Sequence, residues 1–481
     1  MNLPEEFEKE MIATLGEEEY ARLRDALQKE SPVSLRINVS KAPAGLEEQP
    51  PLATARRVPW SDTGYYLDRR LTFTFDPLFH AGCYYVQEAS SMFVERVLRT
   101  YVTSPVVMLD LCAAPGGKST LCRSALPQGS LLVCNELIRT RAQVLAENLI
   151  KWGHPEVIVT QNAPADFAAY PSLFDVILAD VPCSGEGMFR KDPTAIDEWS
   201  PRNVETCWTR QREILSDVWD ALKPGGLFIY STCTYNIYED ERNVEWIVDH
   251  FGVEPLSVPV EEKWNITGNL CGADIPVYHF LPHRTEGEGF FLAGFRKPLD
   301  AEVPSGGAKE RKKNKDNRGG TKAVPVSPDC KRCLLHPADY QWETVGDTVV
   351  AFPTRHADIY QMLRERLHVI HAGITVAQLK GKDCIPHHSL AMSANFNRAQ
   401  YPQAEVSYDQ AVAYLRKEAI AFPNDVPRGY VLVTYRGVPL GFAKNIGNRA
   451  NNLYPQEWRI RSGYLPEEIL CLYNQPDADL K

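Results

Sequence analysis

Short apolar segments alternate with amphipathic segments through the middle of the chain. The apolar runs are rich in β-branched residues and span residues 106–111, 131–135, 157–160, 174–179 and 227–232. Helical patterns separate them at residues 117–126, 138–152 and 203–222. Continuous apolar strands that alternate with helices are typical of a parallel sheet covered on both faces. The pattern therefore predicts a doubly wound α/β domain over residues 78–300, in which residues 289–296 form a closing strand.

A smaller unit is predicted before this domain. Residues 4–30 have the pattern of two short amphipathic helices broken near Gly16, and strand-like alternation follows at residues 33–38 and 64–67. We therefore expect a small α+β domain over residues 1–77. Inside the central domain, the run Pro224-Gly225-Gly226 is expected to end the long third helix and to turn into the fifth strand.

The C-terminal part of the chain is predicted to contain a linker and two further units. Residues 301–327 lack apolar periodicity and are rich in Lys, Arg, Gly and Asn, which is typical of a flexible basic linker. Globular composition returns beyond it. We expect a small intervening domain at residues 328–395 and a last domain at residues 396–481, which includes a hairpin pattern at residues 431–441.

Composition narrows the class of protein. The 481 residues are 44% hydrophobic and 24% charged, which favours a globular protein of two to four domains. No apolar run reaches membrane-spanning length and the chain opens with an acidic segment, so we expect a cytoplasmic protein without membrane contact. The net charge of −10 disfavours a protein that coats nucleic acid, but it leaves room for a local basic groove.

The cysteine pattern predicts thiols rather than a disulfide scaffold. Twelve cysteines in a chain of this size would stay reduced in a reducing compartment. Cys330 and Cys333 have the spacing of half a zinc site. Because no second convincing pair accompanies them, we predict no structural metal.

A glycine-rich turn follows the first strand of the central domain. Asp110 ends this strand, and the small residues from Ala113 to Gly117 turn into a helix, so that a ligand can approach the backbone closely. The alternative is a tight turn that binds nothing. The turn lacks the spacing of a phosphate-binding loop. Glu136, twenty-six residues after Asp110, follows the second strand, where an acid can bind ribose hydroxyls. These residues favour a neutral or cationic adenosine cofactor.

Two cysteines carry the candidate chemistry. Cys183 follows the fourth strand in the run that begins at Asp180, and Cys233 follows the fifth strand. Ligands of doubly wound sheets bind beyond the carboxyl ends of the strands, so both thiols should face one crevice. A thiolate there can add reversibly to an electron-poor ring, as carbon methylation of a pyrimidine requires. Burial of both residues as small hydrophobic side chains is the alternative.

Three long motifs carry a resemblance to a known family. They are LDLCAAPGGKST at residues 109–120, DVPCSGEGMFRKDP at residues 180–193 and YSTCTYNIYEDERNVEW at residues 230–246. Together they resemble the RNA cytosine-C5 methyltransferases of the RsmB/RsmF (Sun-domain) family. The long C-terminal extension, with PLGFAK at residues 439–444 and NLYP at residues 452–455, is most similar to the RsmF branch. The resemblance implies a Rossmann-like S-adenosyl-L-methionine-dependent domain, a small N-terminal RNA-binding domain and a PUA-like C-terminal module.

The resemblance also implies roles for individual residues. Cys233 would be the nucleophile that attacks C6 of cytosine, Cys183 would assist release of the product, and Asp180 would hydrogen-bond the base. DNA cytosine methyltransferases use the Pro-Cys thiol instead, so Thr-Cys together with Pro-Cys selects the RNA class. The implied cofactor-binding residues are Cys112, Ala113, Ala114, Pro115, Gly116, Gly117, Lys118, Glu136, Arg141, Asp166 and Asp180.

One position departs from the family pattern. Family members commonly have an acidic residue after the third strand that binds the adenine amino group, and Ala163 occupies that place here. Either Asn162 or Asp166 substitutes for the acid, or packing and backbone groups hold the adenine.

The expected partner is structured RNA, most of all 16S ribosomal RNA or the 30S particle, bound by a monomer. Polar and basic residues that could contact RNA phosphates are Arg36, Asn38, Arg190, Lys191, Lys444 and Arg449. Three alternatives stay open. They are a tRNA cytosine-C5 methyltransferase, a ribosome-assembly factor with little turnover, and a methyltransferase that acts on proteins or small molecules.

Overall fold

The computed structural model describes residues 2–302, 326–381, 383–464 and 468–473. Most of the predicted basic linker, residues 303–325, lies outside the described residues. The domain boundaries drawn from the sequence stay predictions.

The N-terminal part forms a helical hairpin followed by a small antiparallel sheet. Its elements are α1 (Glu5–Leu15), α2 (Glu17–Leu27), β1 (Val33–Ile37), β2 (Arg56–Arg57), β3 (Gly64–Leu67), α3 (Pro77–His80) and β4 (Tyr84–Val86). The sheet has the order β2-β3-β1-β4. Gly16 breaks the two helices with a φ of 83°, which glycine adopts without steric cost. Strand β4 pairs with β1, so this sheet continues beyond residue 77.

The central domain is an α/β unit around one large sheet. Its elements are α4 (Val94–Tyr101), β5 (Val107–Asp110), α5 (Gly117–Ala125), β6 (Leu131–Asn135), α6 (Arg139–Trp152), β7 (Val157–Thr160), β8 (Phe174–Asp180), α7 (Pro193–Glu198), α8 (Pro201–Val218), β9 (Leu222–Thr232), α9 (Glu241–Phe251), β10 (Glu254–Leu256), β11 (Tyr278–Phe280) and β12 (Phe290–Arg296). The predicted strands and their order of alternation with helices are confirmed.

The topology is that of a doubly wound sheet. Strands β7, β6, β5, β8 and β9 lie side by side in that order and run parallel, and β12 pairs antiparallel with β9. Buried neighbours on one strand pack into different cores, Met108 on one face of the sheet and Leu109 on the other. The strand order reverses between β5 and β8, which places a ligand crevice beyond the carboxyl ends of these strands.

The end of the long helix α8 differs from the prediction. The helix ends at Val218, and Leu222 already pairs with Phe174 in the sheet. The run Pro224-Gly225-Gly226 lies inside β9, where the register with β8 is irregular. Proline lacks a backbone N–H and glycine lacks a side chain, so a bulge accommodates them better than a regular ladder does.

The C-terminal part contributes two more sheets. Its elements are α10 (Pro328–Arg332), β13 (Tyr340–Val345), β14 (Thr348–Pro353), α11 (Ala357–Arg364), β15 (Val369–Ala372), β16 (Ile374–Lys380), β17 (Asp383–Pro386), α12 (His388–Met392), β18 (Gln403–Glu405), α13 (Tyr408–Leu415), β19 (Gly429–Tyr435), β20 (Val438–Asn445) and β21 (Ala450–Asn452). The two sheets have the orders β13-β14-β16-β17 and β18-β19-β20-β21. Strand β15 does not belong to either of these sheets. It pairs antiparallel with β7 and extends the central sheet at its edge.

Arg36 of β1 joins the N-terminal sheet to the central domain. Its side chain is fully buried, and its guanidinium donates hydrogen bonds to Gln87 Oε1 at 2.6 Å, Thr120 Oγ1 at 2.7 Å and the Gly117 carbonyl at 3.1 Å. The ring of Trp152 lies 5.0 Å from the guanidinium. Burial lowers the pKa of Arg36 to about 10, so the group stays charged at neutral pH.

We expect Arg36→Ala to lower the free energy of unfolding by about 3 kcal/mol, because the substitution leaves several buried acceptors unpaired. Urea unfolding followed by tryptophan fluorescence measures the change. The exposed Arg139→Ala serves as the control and should change stability by less than about 0.5 kcal/mol. Equal stabilities of the two variants would contradict a bridging role for Arg36.

Candidate functional site

The glycine-rich turn lies at the topological switch of the central sheet. Gly116, with a φ of 111°, precedes α5, and Ser119 in the first turn of this helix donates a 2.6 Å hydrogen bond to Asp110 Oδ2. Asp110 is fully buried, and its Oδ1 has no hydrogen-bond partner among the residues that the structure describes. Burial raises the pKa of Asp110 to about 7, against the opposing effect of the Ser119 hydrogen bond.

Glu136 and Arg141 hold the second edge of this crevice. Glu136 is buried, and its Oε1 accepts a 2.9 Å hydrogen bond from the Ile138 N–H. The half-exposed Arg141 donates to the Ala114 carbonyl at 3.0 Å and lies 3.5 Å from Glu136 Oε2. Arg141 therefore ties the glycine-rich turn to the segment after β6.

The remaining residues of the turn are packed by their neighbours. The Ala113 N–H donates to the Asn135 carbonyl at 2.8 Å, and both Ala113 and Ala114 are buried. Cys112 lies close to the carboxylates of the crevice, and burial raises the pKa of its thiol well above the ordinary range. Cys112 therefore stays protonated at neutral pH.

The segment after β7 contains Ala163 where an acid was expected. Asp166 Oδ2 accepts hydrogen bonds from the Ala163 N–H and from Asn162 Nδ2, both at 3.1 Å. Asn162 Oδ1 in turn accepts a 3.0 Å hydrogen bond from the His368 N–H, which belongs to the segment before β15. Both substitutes that the sequence offered are thus engaged in fixing this turn. The contact with His368 had no signal in the local sequence.

The two candidate catalytic thiols meet in one place. Cys183 follows β8 and Cys233 follows β9, and their Sγ atoms lie 3.1 Å apart. Both residues are partly exposed. The hydrogen bond with Cys233, together with burial, raises the pKa of Cys183 well above its usual value. Cys183 therefore keeps its proton beside Cys233.

Asp180 and Lys118 form an ion pair next to the thiols. Lys118 Nζ lies 2.9 Å from Asp180 Oδ2, and Ser231 Oγ donates a 2.8 Å hydrogen bond to Asp180 Oδ1. Burial alone would lower the pKa of Lys118, but the charge and hydrogen bond of Asp180 and a smaller effect of Cys233 raise it. The sequence placed Lys118 with the cofactor loop. Its ammonium group contacts the candidate catalytic acid, and Ser231 was missed.

Buried carboxyl groups surround the loops that carry the thiols. Asn236 and Glu239 contact each other twice, since Asn236 Nδ2 donates to Glu239 Oε1 and the Glu239 N–H donates to Asn236 Oδ1, both at 2.9 Å. The helix after them begins only at Glu241, so the pair fixes the preceding turn. Glu239 also accepts a 3.0 Å hydrogen bond from the Ser184 N–H, beside Cys183. Sequence reasoning missed this contact across the loops.

The residues proposed to contact phosphates fall into two groups. Arg36 and Asn38 are buried, and Asn38 Nδ2 donates to the carbonyl groups of Gly82 and Trp152, so the expectation of surface contact was wrong for both. Their hydrogen-bond partners lie far away in the sequence. The Arg190 side chain is only 6% exposed, and its Nε lies 3.2 Å from Glu288 Oε2. Lys191, Lys444 and Arg449 reach the surface.

Three further findings concern the pairing of cysteines, metal ligands and membrane-spanning helices. Cys330 Sγ lies 2.7 Å from Cys384 Sγ rather than forming a site with Cys333. Within the described ranges, no three His, Cys, Asp or Glu side chains are grouped closely enough to hold a metal ion. No helix in the part of the chain that the structure describes is long and apolar enough to cross a membrane.

Family models match three parts of the chain. The model of the 16S rRNA methyltransferase RsmB/F matches residues 103–296, and that of the N-terminal domain of 16S rRNA methyltransferase RsmF matches residues 3–89. The model of the methyltransferase RsmF PUA domain matches residues 401–460. The matches follow the chain order of the N-terminal sheet, the central domain and the last sheet.

Individual relatives agree with these models. The chain is 31% identical to ribosomal RNA small subunit methyltransferase F of Aliivibrio fischeri, over 90% of this chain and 92% of the relative. It is 29% identical to the protein of that name from Klebsiella pneumoniae, over 90% and 91% of the two chains. A methyltransferase homologue from Pyrococcus horikoshii superimposes with a TM-score of 0.52 and 27% identity, over 61% of this chain and 95% of that one. The chain therefore belongs to the RsmB/RsmF family of 16S rRNA methyltransferases, with the N-terminal and PUA domains of its RsmF branch.

Proposed function

We propose that this methyltransferase modifies C5 of a cytosine in 16S ribosomal RNA through a covalent adduct between Cys233 and C6. The observation that carries the proposal is the pair of thiols at the ends of adjacent strands, 3.1 Å apart and beside the ion pair of Asp180 and Lys118. Methyl transfer to oxygen or to an exocyclic nitrogen needs no such pair. Addition to C6, by contrast, needs one nucleophile and a separate group that assists elimination.

The crevice at the switch point fits S-adenosyl-L-methionine. Asp110 has a buried oxygen without a hydrogen-bond partner among the described residues, and Glu136 and Asp180 add further carboxylates, a set of acceptors that suits a cationic cofactor with ribose hydroxyls. The glycine-rich turn from Cys112 to Lys118 and the Asp166 segment would complete the cofactor site. When bound, this cofactor supplies the electrophilic methyl group.

The protein groups account for the remaining chemistry. The Cys233 thiolate forms a bond to C6, and the electron pair of the C5–C6 bond becomes available at C5. Asp180 is held by Lys118 and Ser231, so it can hydrogen-bond N3 and the amino group of the base, and a proton shared between its carboxyl group and N3 increases the electrophilicity of C6. After methylation a base removes the C5 proton, the double bond re-forms and Cys233 leaves as a thiolate. Cys183 assists this release, because its raised pKa keeps it protonated and its thiol can donate a hydrogen bond to the departing thiolate.

A groove on the N-terminal side offers a path for the RNA. Its volume is about 1310 Å³, and it extends from α2 to the catalytic domain. Its basic lining residues are Arg22, Lys29, Arg56, Arg69, Arg70, Arg190 and Lys191. Carboxylates such as Asp25 and Glu30 lie there too, so the groove is mixed in charge with a basic excess. Two of the exposed basic side chains of the groove, Lys29 and Arg70, are suited to phosphate contacts.

We also propose that the enzyme works as a monomer in the cytoplasm. All twelve cysteines are free thiols, which fits a reducing compartment. Transfer RNA is the competing substrate, since the flipped base alone would not discriminate it from ribosomal RNA.

Methyl transfer from labelled S-adenosyl-L-methionine tests the proposed reaction. Unmodified 16S RNA, 30S particles and tRNA are offered separately. We expect 5-methylcytosine in the 16S RNA or in the particle, and a loss of at least about 10³-fold with Cys233→Ala, because that variant lacks the nucleophile. Methyl transfer to tRNA alone would identify tRNA, and not 16S RNA, as the substrate. Full activity of Cys233→Ala would overturn the mechanism.

The Cys183→Ala variant tests the role in release. We expect it to accumulate an RNA–protein adduct that resists denaturation, because addition to C6 proceeds while elimination is impaired. Denaturing gel electrophoresis with labelled RNA detects the adduct, and the doubly substituted Cys183→Ala, Cys233→Ala protein is the control. An adduct that persists in the double variant would contradict attachment through Cys233.

The double variant Lys29→Glu, Arg70→Glu tests the groove. We expect RNA affinity near 0.1 M salt to fall by about tenfold or more, and the slope of log affinity against log salt to decrease by about 0.7 per lost phosphate contact. Lys263→Glu, an exposed lysine that does not line this groove, is the matched control. Unchanged affinity and slope would exclude this groove as the RNA path.

A further inference from the structure

We propose that two buried carboxylates, Glu186 and Glu239, position the catalytic thiols by fastening the Cys183 loop to the Cys233 loop. Together with Asn236 they are called the thiol clamp below. The thiols themselves carry the reaction, so the clamp residues are positioning residues and touch no reacting atom. The consequence for catalysis rests on the proposed function, whereas the geometry of the clamp does not.

Glu186 reaches from the loop after Cys183 to the backbone after Cys233. Its Oε2 accepts hydrogen bonds from the N–H groups of Tyr235 at 2.6 Å and Asn236 at 3.1 Å. Its Oε1 accepts from Asn236 Nδ2 and from Trp199 Nε1, both at 2.9 Å. All four partners are donors, so the site is built for an acceptor with two oxygens.

Glu239 makes the reciprocal connection from the other loop. Its two oxygens face the Ser184 N–H at 3.0 and 3.3 Å, and Oε2 also accepts a 2.7 Å hydrogen bond from Gln211 Nε2. Asn236 Nδ2 lies 2.9 Å from an oxygen of each carboxylate and so bridges them. Each loop thus supplies an acid that binds backbone next to the other loop's cysteine.

The backbone leaves little freedom between these loops. The Gly187 N–H donates a 2.8 Å hydrogen bond to the Cys233 carbonyl. A Cβ at Gly187 would lie 3.0 Å from that oxygen and 3.1 Å from the Gly289 carbonyl, which is tighter than ordinary contact. Glycine at 187 therefore permits the close approach, and the clamp residues hold it on both sides.

Two buried acids contribute little to the stability of a fold, because burial disfavours their charged forms. Burial and the neighbouring Glu239 raise the pKa of Glu186 to about 7, and burial raises that of Glu239 as well. Buried charges seldom add stability over well-packed apolar residues, whereas they can specify one geometry. We therefore attribute the two carboxylates to the placement of the thiols, for which an error of an ångström is costly.

Disulfide formation measures thiol placement without RNA or cofactor. A diazene oxidant takes two hydrogens from Cys183 and Cys233, joins their sulfur atoms and is itself reduced to the hydrazine. The pair Cys330 and Cys384, 2.7 Å apart and outside the central domain, reacts in the same sample and serves as the internal reference. Peptide mapping by mass spectrometry gives the initial rate for each pair.

We expect Glu186→Gln to lower the rate at Cys183 and Cys233, relative to the reference pair, by about tenfold. An amide of the same size offers one acceptor oxygen and turns its NH₂ group toward donors. The expected steady-state signature is a lower kcat with an unchanged KM for RNA. Glu213→Gln, an exposed glutamate on α8, is the matched control and should leave both rates unchanged.

Asn236→Ala provides a milder test, since it removes the bridging amide and keeps both carboxylates. We expect a smaller decrease in the rate of disulfide formation at Cys183 and Cys233 relative to the reference pair. If Glu186→Gln does not fold, this variant alone tests the clamp. A rate ratio equal to that of the unsubstituted protein would overturn the clamp, and so would an equal change at both thiol pairs. Absence of methylation by the unsubstituted protein would refute the proposed function while the rate ratio still tests the clamp.

Discussion

The register between β8 and β9 is the constraint on which the site depends. These adjacent parallel strands place Asp180 opposite Ser231, so the chain leaves both strands at the same level of the sheet. Cys183 follows Asp180 by three residues and Cys233 follows Ser231 by two. The two thiols therefore meet over one crevice, and Ser231 can bind Asp180. A shift of this register would move Cys233 and Ser231 away from Cys183 and Asp180.

Polar contacts from the rest of the domain, in addition to apolar packing, hold these strand ends in place. Lys118 comes from the glycine-rich turn and pairs with Asp180, so the crevice at the switch point and the pair of thiols share one ion pair. Arg36 of the N-terminal sheet binds the first turn of α5, beside that lysine. The N-terminal sheet is thereby connected to the candidate site through two steps of direct contact.

The sequence predicted those features that depend on local pattern. Strands β5 to β9, the turn after Asp110 and the convergence of two cysteines follow from periodicity and from the rule that ligands bind beyond strand ends. Contacts between distant segments were not predictable in this way. Arg36 is a polar residue in a strand-like pattern, and only its partners at residues 87, 117 and 120 show that it is buried. The same holds for β15, whose pairing partner β7 lies about two hundred residues earlier.

Local sequence preferences predicted the structure only in part where a tertiary contact competes with them. An Asn-x-x-Glu run such as Asn236 to Glu239 favours a capping box, in which the glutamate accepts a hydrogen bond from the backbone N–H of the asparagine. Here that N–H donates to Glu186 across the loops, and Glu239 binds the Asn236 side chain and the Ser184 N–H instead. The run at Pro224 predicted a helix end, whereas the apolar residue Leu222 had already entered the sheet. In both cases a tertiary contact decided the outcome that a local preference left open.

Covalent trapping on a fluorinated substrate shows directly which cysteine attacks the base. In 16S RNA that contains 5-fluorocytidine, fluorine replaces the C5 hydrogen, so addition and methylation proceed while elimination cannot. We expect a stable complex that forms only with S-adenosyl-L-methionine, and a peptide containing Cys233 that carries the mass of a methylated fluorocytidine. A crosslink at Cys183 instead, or methylated RNA without any crosslink, would contradict the assignment of Cys233 as the nucleophile.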